Sequence, residues 1–279
     1  FTAAQVTETP DVIYGTNIDF MTSDFSDPAA YGPNVVQLQT LVSTQQPIPA
    51  AYYDPLDNST AVKVLDLRMD IYQPDQSVDT ELERPLVIYL HAGDFLPHGV
   101  NQLPYGERTD SSATEICRQL ARRGYVAVSV GYRNGWNPLG GSIQELRGSL
   151  INAVYRAVQD GRQALRALKA DAAVHHINPG KVSVLGEGPG GFVALSMATL
   201  DDPAELYIEK FLPNPFDPSV SYIDTTVVGS TPQGPPSTKT STCCSSTSAS
   251  SSSSMPCRSW SGSSRLELRI GSPRVSIRA

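Results

Sequence analysis

Histidine is scarce in this chain and confined to its first two thirds: His91, His98, His175 and His176 are the only four, and none follows position 176. A general-base histidine placed late in the chain is therefore excluded within these 279 residues. A histidine-rich metal site is not expected either, because His175 and His176 are adjacent on a helix end, where side chains point apart, and no third ligand stands near them. Long apolar runs are also missing. No stretch of eighteen or more apolar residues occurs, which removes a membrane-spanning helix from the expectations. An excess of positive charge is lacking as well: net charge is −7 and the pI is near 5.1. Nucleic-acid binding draws on clustered Lys and Arg, so no nucleic-acid partner is expected. The first residue is Phe1 rather than methionine, as in a processed product or a fragment, and no secretion signal is visible.

Charge and cysteine divide the chain at one place. Residues 1–229 hold 15 basic and 27 acidic residues, net −12, whereas residues 230–279 hold six basic residues and Glu267, net +5. Of four cysteines, Cys243, Cys244 and Cys257 lie in this last part, at a spacing that fits no usual zinc pattern. Cys117 sits in a helical pattern and reads as a small buried hydrophobe. From Ser230 the chain is dominated by Ser, Thr and Pro, with too few apolar residues to build a core. We expect three parts: an irregular arm or short surface strands over 1–60, an α/β core over 61–229, and a low-complexity tail over 230–279. The abrupt change at position 229 suggests that the tail is either a flexible linker or the product of a shifted reading frame.

What the middle part contains is regular. Val62 to Tyr72 alternates apolar and polar residues and predicts an antiparallel strand ended by Pro74. Pro85 to His91 is a short apolar run, as in a strand covered on both faces. A helix follows Ser111 and Ser112 and stops at Gly124, with Ile116, Leu120 and Ala121 at helical spacing. Tyr125 to Gly131 predicts another buried strand, and Gln144 to Ala172 a long amphipathic helix carrying Leu150, Val154, Ala157, Leu165 and Leu168. After Asn178-Pro-Gly, Lys181 to Leu185 forms a strand that runs through Gly186-Glu-Gly-Pro-Gly-Gly191 into a last helix. The alternation of strands and helices implies a mostly parallel sheet with right-handed crossovers and helices on both faces.

That glycine-rich turn has the form G-x-S-x-G, in which two glycines permit a tight strand-to-helix reversal and a serine projects from the tip. Gly186 and Gly190 are in place, and Gly188 stands where the serine belongs. Two further segments match in order: Leu86-Val-Ile-Tyr-Leu-His-Ala-Gly-Asp-Phe95 and Tyr125-Val-Ala-Val-Ser-Val-Gly-Tyr-Arg133. Together the three segments resemble the α/β-hydrolase superfamily on its carboxylesterase and lipase side, over about residues 60–229. The resemblance implies an α/β-hydrolase fold, here incomplete at the C-terminus, and carboxylic ester hydrolysis by a serine, an acid and a histidine in that chain order, with no metal or organic cofactor. It also implies small esters or ester-like molecules as ligands. Gly186, Glu187, Gly188, Gly190 and Gly191 correspond to the nucleophile elbow, and His91, Ala92 and Gly93 to the oxyanion loop, with Ala92 replacing a glycine.

Three departures follow from the residues. Gly188 has no side chain to attack with, and Pro189 lacks the backbone N–H that the fold uses as an oxyanion donor. The third is the missing late histidine; Asp201, Asp202, Asp217 and Asp224 follow the elbow but lie early for the acid. Little or no esterase activity is expected. The alternative is a non-catalytic ligand-binding or interaction protein on the same fold. His91 reads as a loop-former, Glu187 as elbow background, Ser183 and Ser196 as strand and helix residues, and Arg122 and Arg123 as a charged helix end.

Overall fold

The computed structural model describes residues 1–19, 33–34, 36–38, 40–41, 44–53, 59–60, 62–96, 105–136, 138, 142–200, 202–214, 216, 219–223 and 267–269. Of the 230–279 tail, only residues 267–269 fall within this set, and Cys243, Cys244 and Cys257 lie outside it.

Strand β1 (Val6–Asp19) pairs antiparallel with β2 (Lys63–Pro74), and β2 pairs antiparallel with β4 (Val126–Val130). From β4 onward every pairing is parallel, to β3 (Arg84–Leu90), then β5 (Ile177–Gly186), then the three-residue β6 (Glu267–Arg269). The order across the sheet is β1-β2-β4-β3-β5-β6. Parallel neighbours need crossovers, and the helices α1 (Ser111–Ala121) and α2 (Ile143–Ala170) supply them. Helix α3 (Pro189–Thr199) follows β5 directly.

Side chains alternate across each strand, so each face of the sheet has its own helices. Leu86, Ile88 and Leu90 of β3, with Val126, Val128 and Val130 of β4, pack against Ala153, Ala157, Ala164 and Leu168 of α2 and Val193 and Met197 of α3. On the other face Tyr72, Tyr89 and Ala127 meet Ala113, Cys117 and Ala121 of α1. Burial pushes the Cys117 thiol up to about 12, so it stays a protonated, small hydrophobic filler. The alanines of α2 let it approach the sheet closely, and at Gly161 a Cβ would come within 2.5 Å of Met197 Sδ of α3.

Within this core lies one ion pair. Arg133, just past β4, donates from Nη2 to Asp160 Oδ1 at 2.8 Å and from Nε to Oδ2 at 2.9 Å, and its Nη1 reaches Ile18 O at 2.7 Å. Both side chains are almost wholly buried. A charge in the middle of α2 is tolerated there because the guanidinium fork and a backbone N–H from Arg133 satisfy the carboxylate.

Two expectations need correction. Residues 6–19 are neither irregular nor a short strand: β1 is a 14-residue strand. Register shifts between Thr9 and Val12 and between Ile13 and Gly15, with Asp11 at φ +58°, break the period-two pattern that would have announced it. Likewise, Asn178-Pro-Gly does not precede β5 but lies inside it, where Asn178 Oδ1 accepts from Gly180 N at 3.0 Å across a local bend. The long helix begins and ends within two residues of its expected bounds, started by Ser142, whose hydroxyl accepts from Glu145 N at 3.2 Å.

Candidate functional site

In an open α/β sheet, ligands bind beyond the carboxyl ends of the parallel strands. Two segments meet there: the loop after β3, from His91 to Phe95, and the turn between β5 and α3.

The turn is held by close backbone contact. A Cβ on Gly186 would stand 2.1 Å from Gly190 O, and one on Gly190 would stand 2.2 Å from Leu90 O, so both positions admit only glycine. Glu187 N donates to Leu90 O at 3.1 Å, and Gly190 N and Gly191 N turn back to Glu187 O and Gly188 O at 2.9 Å. The turn is thereby pressed onto the end of β3. Gly188 differs from its neighbours. It sits at φ +51°, ψ −121°, a backbone that side chains rarely adopt, yet a Cβ there would meet nothing nearer than the Ala92 Cβ at 3.8 Å. Gly188 is exposed, at the point of the reversal. Pro189 then occupies the first turn of α3, where its fixed φ suits the helix and its missing N–H leaves one donor fewer at the tip.

The Glu187 carboxylate is turned toward the α1 face, where it accepts from the Tyr89 hydroxyl. Burial, and then this carboxylate, raise the Tyr89 phenol above its ordinary range, so Tyr89 is a donor and not a base. Glu187 is thus anchored sideways rather than presented at the tip.

The facing loop is a tight turn. Gly93, Asp94 and Phe95 all have positive φ (+121°, +54° and +58°), and Leu96 N donates to Gly93 O at 3.1 Å. Gly93 must be glycine for a second reason: a Cβ there would lie 2.4 Å from the Cα of Gly106. The segment carrying Gly106 is pinned by Asp110, whose Oδ2 accepts from Gly106 N at 2.6 Å and Glu107 N at 3.0 Å. Arg108 extends the brace to Asp70 at 3.2 Å and, by ion pairing, to Asp11.

His91 is built into this loop. Only 2% of it is exposed, its ring stacks on Tyr132 with centroids 4.2 Å apart, and Tyr132 donates to His91 O at 2.7 Å. With Nδ1 lying 2.6 Å from Ala92 O, the proton on that nitrogen is donated to a carbonyl. Burial, the largest influence, holds the imidazole below its usual pKa and therefore neutral. His175 and His176 lie in the turn before β5, at the opposite end of the parallel strands, and His176 O accepts from Arg84 N at 2.8 Å. The length of β3 from Arg84 to Leu90, which β5 spans from Ile177 to Gly186, separates them from the tip, roughly 20 Å at the usual rise per residue. His98, Asp201, Asp217 and Asp224 fall outside the described residues. Asp202 is engaged as a cap, accepting from Ala204 N at 2.9 Å. Ser183 and Ser196 lie within β5 and α3, and Arg122 caps the end of α1.

The structure therefore brings Gly186–Gly191 together with His91–Gly93, and the Ser112 side chain reaches the same Tyr89 hydroxyl that bonds Glu187. Among the described residues, no group of three His, Cys, Asp or Glu is placed to hold a metal ion, and no helix is long and apolar enough to cross a membrane. Three contributors were not legible in the sequence: Gly106, Asp110 and the Tyr89 hydroxyl. Each acts through a contact between segments distant in the chain, and only the Asp110 position just before α1 carried any local signal.

A sheet of this order, helices on both faces, and a glycine-rich strand-to-helix turn set against the loop after β3 define a protein of α/β-hydrolase fold. The chain belongs to the BD-FAE family, whose model matches residues 69–232. No curated protein matches it. Among solved structures it is similar to a hyperthermophilic esterase from the archaeon Pyrobaculum calidifontis, at 26% identity over 48% of this chain and 35% of that one, with a TM-score of 0.35. It is also similar to EstE1, a thermostable carboxylesterase from a metagenomic library, at 23% identity over 63% of this chain and 50% of that one, with a TM-score of 0.35. A third is the butyrate-bound esterase 2 of Thermogutta terrifontis, at 20% identity over 61% and 48% of the two chains, with a TM-score of 0.33. The chain spans between 35% and 50% of the length of these three proteins.

Proposed function

We propose that this is a carboxylesterase-type α/β-hydrolase by descent, whose turn at residues 186–191 is a nucleophile elbow without a nucleophile, and that it hydrolyses carboxylic esters poorly or not at all. The observation that carries the reading is Gly188: it stands at the tip, in a positive-φ backbone with room for a side chain, and has no atom that can attack a carbonyl. Two others support it. Pro189 offers no N–H to a developing oxyanion, a loss that typically costs roughly a hundredfold or more in rate. His91 is neutral and spends its Nδ1 proton on Ala92 O, while His175 and His176 lie at the far end of the parallel strands. In this reading His91, Ala92 and Gly93 form the oxyanion loop and small esters are the ancestral ligands. In the same reading the α/β core spans residues 61–229, joined in the sheet by β1 and the short β6, and the Ser-rich composition from 230 onward is either a flexible linker or the product of a shifted reading frame, which the nucleotide sequence around codon 229 distinguishes. The functional test is a short-chain nitrophenyl ester assay. We expect turnover no greater than that of heat-inactivated protein; clear turnover above that control overturns the proposal.

A second reading, a non-catalytic ligand-binding protein, is favoured by the close packing of the site itself. Gly93, Gly186 and Gly190 are each required by backbone contact, so the cradle keeps its shape without a reagent. Cooperative unfolding with a Tm raised by an ester or carboxylate ligand would support this reading, and broad, ligand-insensitive melting would remove it.

A further inference from the structure

We draw no further inference here: the strongest candidate, the apolar face that helix α3 turns to solvent through Phe192 and Leu195, carries nothing because nothing among the described residues shows what covers it.

Discussion

Two kinds of glycine occupy one turn. Gly186 and Gly190 are fixed by contact, since any side chain would drive an atom into the backbone of the turn or of β3. Gly188, between them, is fixed by nothing it touches; only its backbone angle disfavours a side chain. The flanks of the turn are thus governed by packing and its tip by conformation. Shape and chemistry are separable here, and a turn can keep the first after the second has gone.

Substitution at each glycine tests that separation. The largest effect is expected for Gly190→Ala, where the clash with Leu90 O and His91 O must be relieved by moving backbone. We expect a loss of about 3 kcal/mol, or roughly 6–12 °C in Tm, read by thermal unfolding. An unchanged Tm would mean that the flanks are not fixed by contact. For Gly188→Ser the side chain has room and the cost is the positive-φ backbone alone, about 1–2 kcal/mol. The same variant should show no ester turnover, because Pro189 is untouched and His91, the histidine that the described residues bring to the turn, is buried with its Nδ1 on Ala92 O. Strong activity from this single change would reveal a base elsewhere. Gly191→Ala is expected to be the mildest, because its Cβ would meet Gly186 O at an ordinary 3.6 Å and it lies inside α3. There alanine should raise stability by up to about 1 kcal/mol through helix propensity, and destabilisation would show that the contact-fixed region extends one residue further.

The facing loop gives a pH-dependent test of intermediate size. His91 has a native pKa below its unfolded value of about 6.5, so the unfolded chain takes up the proton first. Its contribution is complete above that pH and is lost as the pH falls below it. Half-buried His175 is shifted in the same direction, by burial first. Urea midpoints at pH 7.5 and 5.5 should therefore differ less for His91→Phe than for the unaltered protein. An equal difference would mean that the buried ring does not titrate against folding.

How far the sequence foretold this structure depended on whether the signal was local. Strands β2 to β5 and helices α1 to α3 were readable because apolar residues recur at period two or 3.6 and glycine or proline marks the stops. Strand β1 was not, since two register shifts interrupt the alternation and its partner lies about fifty residues away. In the candidate site, the glycines of the turn were readable from their spacing, and the His91–Gly93 loop only through the family resemblance of its segment. The crossing of Gly93 over Gly106 was not, because closeness between two loops leaves no periodicity. Nor was the sideways anchoring of Glu187 by Tyr89, 98 residues away along the chain, which depends on which face of β3 the ring occupies.

Pro189 has a historical consequence. At the first turn of α3 a proline costs the native state little and restricts the unfolded chain, a change that commonly stabilises by about 0.4–1 kcal/mol where the backbone suits it. With such a residue in place, a serine introduced at the neighbouring tip supplies a hydroxyl but not a backbone donor beside it. Recovering that donor means surrendering the stability that proline gave. Under the proposed descent from an esterase, the pair Gly188-Pro189 works as a ratchet, each residue compatible with the fold and the two together harder to undo than either alone.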